Sequence, residues 1–153
     1  MQRRKIRFIV LTAFSSMGGI EKFNRAFMKA MIDLQQPLNF QASFTGMYDD
    51  HSDAAYVPPE SFQAYSGNRI RFVIQNILQS LRVDELIIGH MNLAIVGVLY
   101  KLLRPSKKLT VICHGIEVFE PVSGVKKKLL QKADQLLAVS SFTKNKLVEL
   151  QQV

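Results

Sequence analysis

Lys5-Ile6-Arg7-Phe8-Ile9-Val10-Leu11-Thr12, followed after two residues by Ser15-Ser16-Met17-Gly18-Gly19-Ile20-Glu21, decides how this chain is read. The first run is apolar and rich in β-formers, as a buried parallel strand is. The second is small, polar and glycine-bearing. Beyond it Ile20, Phe23, Phe27, Ala30, Met31 and Leu34 recur at helical spacing, with Lys22, Arg25 and Lys29 on the other face. Strand, turn and helix in that order open an α/β domain, and the glycine turn sits at the carboxyl end of its strand.

The alternation continues outward from this unit. Pro37 stops the helix. Residues 38–45 form a second strand candidate, with Phe40, Ala42 and Phe44 alternating. Residues 46–60 make a long polar loop holding Asp49, Asp50, His51 and Asp53, and loops of that length are often functional. Residues 61–66 allow a short third strand. Asn68 then opens a helix with Ile70, Val73, Ile74, Ile77, Leu78 and Leu81 as a clean apolar stripe. A fourth strand, 84–89, ends in His90. Asn92 is placed to cap a buried helix that reaches Leu103 before Pro105. A fifth strand, 109–113, ends in His114-Gly115. A basic helix, 125–133, leads to a sixth strand, 135–139, and Ser140 or Ser141 caps a last helix to about Leu150. Strands alternating with helices predict a Rossmann-like α/β fold: a mostly parallel, doubly wound sheet of about six or seven strands covered by helices. In such sheets ligands lie outside the carboxyl ends of the strands. The turns at Ser15 to Gly19, His90 to Asn92, His114-Gly115 and Ser140-Ser141 share that edge.

Composition narrows the class. The 153 residues suffice for one domain with its own core, and 48% apolar with 21% charged residues is a globular composition. A single cysteine, Cys113, excludes a disulfide framework and suits a reducing compartment. The basic start, Met1-Gln2-Arg3-Arg4-Lys5, superficially resembles a signal peptide, but its apolar run is short, holds Arg7 and leads to no small-residue cleavage site. The most membrane-like stretch, 86–103, is interrupted by Gly89, His90, Asn92 and Lys101, and its longest clean run is far below the roughly 20 residues of a spanning helix. The net charge of +8 favours anionic partners: phosphate groups, an acidic membrane surface or nucleic acid.

Each motif has a plain reading beside the functional one. Gly18-Gly19 permits close backbone approach and positive φ before a helix N-terminus, whose free amides favour phosphate. It matches neither GxGxxG nor the phosphate-loop pattern, and a tight turn explains it equally well. His114 is either a cap on a strand end or a hydrogen-bond partner for a ligand, and His90 carries the same two readings. Cys113 adjoins His114, but neighbours on a strand point to opposite faces, so Cys113 is expected in the core. The histidines lack metal-type spacing and no metal site is expected. Lys126, Lys127 and Lys128 are either a solvated face or a contact with an anionic membrane. Nucleic acid is disfavoured, because the aromatics occupy core positions and provide no stacking platform.

Four motifs in order carry a resemblance: Ser16-Met17-Gly18-Gly19-Ile20-Glu21-Lys22-Phe23-Asn24, Ile88-Gly89-His90-Met91-Asn92-Leu93, Cys113-His114-Gly115-Ile116-Glu117-Val118, and Ala133-Asp134 with Ala138-Val139-Ser140-Ser141-Phe142-Thr143. Together they resemble the N-terminal, acceptor-side half of a GT-B glycosyltransferase of family 4. The resemblance spans nearly all of residues 1–153. It implies a retaining, nucleotide-sugar-dependent transferase, working in cell-surface polysaccharide synthesis in the cytoplasm or at the inner face of the membrane, without a cofactor. It implies that His114 contacts the donor sugar as the catalytic-site residue, and that Ser16, Gly18, Gly19, Glu21, His90, Asn92, Gly115 and Ser140 line the donor and acceptor cleft. The acceptor is then a glycan or a lipid-linked sugar. The family's second, nucleotide-binding domain, with its paired glutamates, is absent from this sequence, so residues 1–153 alone are expected to turn over little. The alternative is a non-enzymatic α/β module binding a nucleotide or another anion. Thr12-Ala13-Phe14-Ser15 lacks the acids of a phospho-receiver, which leaves that version out.

Overall fold

A computed structural model describes residues 3–153. Arg4–Val10 forms β1, the centre of a six-stranded sheet in which every pairing is parallel. α1 (Gly19–Leu34) returns the chain to β2 (Phe40–Gly46), and a 3₁₀ turn precedes the short β3 (Phe62–Ala64). α2 (Arg69–Ser80) then crosses to β4 (Glu85–Ile88), which lies on the other side of β1. α3 (Ala94–Leu103), β5 (Lys108–Cys113), α4 (Gly124–Lys132) and β6 (Gln135–Ala138) extend the sheet outward. α5 (Ser141–Lys146) closes the chain and runs into a π turn, Leu147–Gln151.

The order β3-β2-β1-β4-β5-β6 is that of a Rossmann-like sheet. Winding reverses between β1 and β4, so the loops after these two strands splay apart and leave a crevice. Right-handed crossovers assign the helices. α1 packs Met28 and Met31 on one face of the sheet, against Ile6, Phe8 and Val10. Phe72, Tyr100, Leu129 and Leu147, from the other helical segments, join Ile9, Leu86 and Val111 on the opposite face. Cys113 belongs to that second core and is fully buried, while His114 turns to the α1 side and meets Phe23. β6 ends the sheet with its outer edge unpaired.

The expected elements all form, with local corrections. Leu38 lies in the turn before β2, where Asn39 adopts a left-handed φ of 52°. The third strand is shorter than expected because residues 65–68 are taken into a turn. Asn92 does not cap α3. His90 does that work one turn earlier, its Nδ1 accepting the Asn92 N–H, and a 3₁₀ turn, Met91–Leu93, leads into the helix.

α2 is the larger surprise. An amphipathic helix ordinarily turns its apolar stripe to the core. Here Ile70, Ile74 and Leu78 are exposed at 75%, 53% and 59%. The inward side carries Asn76 and Ser80, both fully buried, beside Phe72. Asn76 Oδ1 accepts Arg7 Nε–H at 2.9 Å, and Gln75 Oε1 accepts from Tyr65 and Gln63. The reason lies in the sheet beneath, where Arg7, Ser43 and Gln63 offer polar partners that only a polar helix face can satisfy.

Candidate functional site

The crevice at the switch point is built from the loops after β1 and β4, then widened by the loop after β5. Its first wall is held by a residue that sequence reading left unassigned. Asp49 is fully buried, and its carboxylate accepts N–H groups from Ala13 (2.8 Å), Phe14 (2.8 Å) and Ser15 (2.9 Å) and the hydroxyl of Thr12 (2.9 Å). One side chain from the β2–β3 loop thus fixes the whole segment between β1 and the glycine turn. Asn24 Nδ2 donates to Thr12 O and Arg25 donates to Ala13 O, which ties α1 to the same segment.

The glycine turn differs from expectation. Gly18 is extended, with φ −163° and ψ −178°, a conformation open to any residue, so no positive φ is required there. The Glu21 carboxylate folds back over Gly18, and a Cβ there would displace it. Glu21 therefore occupies the space beside the first amides of α1, where a phosphate was expected. Gly19 has nothing within 4 Å of where a Cβ would stand and faces open space. Ser16 and Met17 are exposed at the rim.

The two histidines are fixed by their neighbours. The Gly89 carbonyl can only accept, so His114 Nε2, 3.0 Å away, carries the proton and Nδ1 remains an acceptor. Burial lowers the His114 pKa, partly opposed by that hydrogen bond and by Glu21. His90 Nδ1 accepts a backbone N–H, so Nε2 carries the proton; it lies 3.3 Å from Glu117 Oε2 without the alignment of a hydrogen bond. Burial, then the neighbouring His114 and the Lys126 charge, push His90 down to about 4. Glu117 is almost wholly buried; burial raises its pKa, while the His114 N–H donates to its Oε1. The result is a half-buried cluster in which Glu117 stands between the histidines, accepting the His114 backbone N–H with Oε1 and lying beside the His90 ring with Oε2. It leaves two acceptors unpaired, the buried Glu117 Oε2 and His114 Nδ1, the latter suited to holding a hydroxyl. Gly115 serves the turn: its φ of 136° is a conformation for glycine, and a Cβ there would meet Phe119 and Thr143.

Two adjoining cavities mark the open space. One, of about 170 Å³, is lined by Thr12, Glu21, Asn24, Tyr48 and His90. The other, of about 490 Å³, shares Leu11 and Tyr48 and is bounded by Asn92, Ile95, Arg69 and Lys126. The structure thus brings together Glu21, His90 and Asn92, with Gly18 and Gly19 beside Glu21, and His114 reached through Glu117 and Gly89. Ser140 stands apart. Its Oγ accepts the Thr143 N–H at 3.1 Å as the cap of α5, and it borders a different hollow beside β6. Lys126 is half-buried at the cleft, whereas Lys127 and Lys128 point to solvent. Sequence reading missed Asp49, Asn24, Tyr48, Arg69 and Glu117 as parts of the site. Only Glu117 and Asn24 lay within a motif that could have flagged them. Cys113, buried and with its thiol pushed up to about 12, is core rather than reactive. Among the described residues no cluster of His, Cys, Asp and Glu could hold a metal ion, and no helix is long and apolar enough to cross a membrane.

No protein-family model matches the chain, and no curated protein matches it in sequence. A solved structure does match in fold: the apo form of the lipopolysaccharide outer core galactosyltransferase WaaB, with a TM-score of 0.57 and 18% identity. The match covers 94% of this chain and 42% of that one, so the chain spans less than half the length of the enzyme it is similar to. At this identity the likeness shows a shared α/β, Rossmann-like fold.

Proposed function

We propose that this chain is the N-terminal, acceptor-side domain of a retaining GT-B glycosyltransferase of family 4 type, which moves a sugar from a nucleotide-sugar to a glycan or lipid-linked acceptor. The observation that carries the reading is the meeting of the glycine turn, His90 and His114 at the switch point of a sheet whose fold is shared with a galactosyltransferase. Residues 1–153 form one wall of an interdomain cleft, and a nucleotide-binding domain outside this sequence forms the other. His114 Nδ1 accepts a hydroxyl of the donor sugar and sets the anomeric carbon in position. The amides at Gly19 and Ile20 approach the leaving diphosphate once Glu21 swings away from Gly18, and no metal is needed for that electrostatic help. Glu117 acts through the histidines, accepting the His114 backbone N–H and standing beside the His90 ring. The work belongs to the cytoplasmic side of a membrane and to cell-surface polysaccharide synthesis.

The test is transfer. Joined to a C-terminal nucleotide-binding domain, the His114→Ala enzyme should lose on the order of a hundredfold in kcat. Undiminished transfer removes His114 from the site. Calorimetry of the chain with NAD separates the alternative, since tight binding of a dinucleotide would favour a non-enzymatic module.

A further inference from the structure

Two cations face one hollow with no acid between them. The larger cavity beside the switch point, about 490 Å³, has Arg69, Lys126 and Tyr48 in its wall and no aspartate or glutamate. Several cations near the sheet are paired: Arg4 with Glu85, Lys101 with Asp134 and Lys107 with Asp84. Among the described residues neither Arg69 nor Lys126 meets a carboxylate at ion-pair distance. Arg69 is nevertheless held in place. Its guanidinium lies over the Tyr48 ring, 5.5 Å from the centroid. The turn before it puts Ser66 and Gly67 in left-handed backbone, with φ of 48° and 79°. Ser66 N–H donates to Asp49 O and Gly67 N–H to Met47 O, which stitches the start of α2 to the loop that carries Tyr48. A left-handed serine is a costly conformation, kept here by bonds that fix where Arg69 stands. Lys126, half-buried on α4, acts electrostatically on both His90 and Glu117, so its charge reaches the histidine cluster.

We propose that this hollow is a subsite for a phosphate ester carried by the acceptor, with the phosphoryl group between Arg69 and Lys126 and the organic part on the apolar wall. This rests on the glycosyltransferase reading above and names the group by which the acceptor is held. The fork of Arg69 suits two phosphoryl oxygens, and Lys126 supplies a point charge for the third. Two unpaired cations match a group that is mostly dianionic at neutral pH, whereas a carboxylate needs only one of them. Leu11, Met91, Ile95 and Val125 supply the apolar wall, and the hollow is far roomier than a phosphate alone. The donor is placed elsewhere: its diphosphate belongs with the first amides of α1, across the smaller cavity that Ile20 and Glu21 line. That smaller cavity shares Leu11 and Tyr48 with the hollow, so an acceptor anchored at its phosphate extends through it toward His90.

Binding is read on the chain itself, by NMR titration with n-hexyl phosphate at low salt. The probe should move the amide signals of Tyr48, Arg69, Asn92 and Val125 and leave those of β6 and α5 in place. Arg69→Gln should weaken binding about tenfold or more, and Arg69→Gln with Lys126→Gln should abolish it. Lys127→Gln with Lys128→Gln, exposed on α4, should leave it within about twofold. Hexanoate and inorganic phosphate should each bind several-fold more weakly, the first for want of charge and the second for want of an apolar part. Circular dichroism verifies that each variant is folded. Four results would overturn the proposal: no shift at those amides, binding unchanged by Arg69→Gln, hexanoate or inorganic phosphate binding as tightly as the ester, or displacement of the ester by uridine diphosphate. The last would make the hollow part of the donor site. The readout needs no transfer. Absent binding removes the subsite and leaves His114 in its role, while undiminished transfer by His114→Ala removes that role and leaves phosphate binding standing.

Discussion

Removing the Asp49 carboxylate tests whether one side chain holds the wall of the crevice. Its oxygens take three backbone N–H groups and one hydroxyl from residues 12–15. Hydrogen bonds to a charged acceptor contribute roughly 1.5–3 kcal/mol each, and four at face value would rival the whole stability of a domain this size. The sum is too large, because Ser15 is exposed and Phe14 only half-buried, so those amides regain water in a variant. Ala13 is fully buried and does not. One sealed, orphaned amide plus partial loss of the other contacts gives about 3–4 kcal/mol for Asp49→Ala. At roughly 2–4 °C per kcal/mol for a chain of this length, Tm should fall by about 8–14 °C. Asp49→Asn should cost only about 1–2 kcal/mol, because an oxygen in the Oδ1 place keeps Thr12, Phe14 and Ser15 and only Ala13 meets a donor. Urea unfolding gives the free energies, and hydrogen exchange at Ala13, Phe14 and Ser15 reports the loop itself. A loss under about 1 kcal/mol in Asp49→Ala, or unchanged exchange at those three amides, would refute the clamp.

Other expectations follow from the same structure. Because burial holds the folded His90 near 4 against an ordinary 6.5, its contribution is full above about pH 6.5 and is lost as pH falls towards 4. His90→Asn should flatten that part of the urea-midpoint profile, read between pH 7 and pH 4.5. Ser140→Ala removes the cap of α5 and should cost about 1 kcal/mol in denaturation. Arg7 is buried with Asn76 and Ser43 but no acid beside it, so Arg7→Met with Asn76→Leu should unfold no earlier than wild type and up to roughly 3 kcal/mol later. Cys113 should react with a thiol reagent only at the rate of global unfolding, in a stopped assay with and without urea.

The fold was legible because apolar period and turn chemistry agree along the chain. β1, β4 and β5 are largely apolar runs, and each ends where a histidine or a small polar turn begins. The site was legible where it sits on strand ends, as at His90 and His114. Asp49 was not, because a carboxylate that bonds backbone amides some 35 positions away leaves no spacing in the sequence to read. Glu21 was read as facing a ligand, but its short reach over Gly18 depends on a backbone angle that periodicity does not carry. Ile70, Ile74 and Leu78 make the general point. Periodicity says which residues share a face of a helix, while the direction of that face was set by Arg7 on a distant strand.

The unpaired outer edge of β6 has a consequence for handling the chain. Gln135-Leu136-Leu137-Ala138 carries no lysine, proline or bulge to blunt it, and Leu136 and Leu137 are only half-buried. Such an edge is a template for any extended segment that meets it. At high concentration the isolated chain should assemble slowly into larger species through β6, and a charged residue placed at Leu136 should suppress this without touching the crevice.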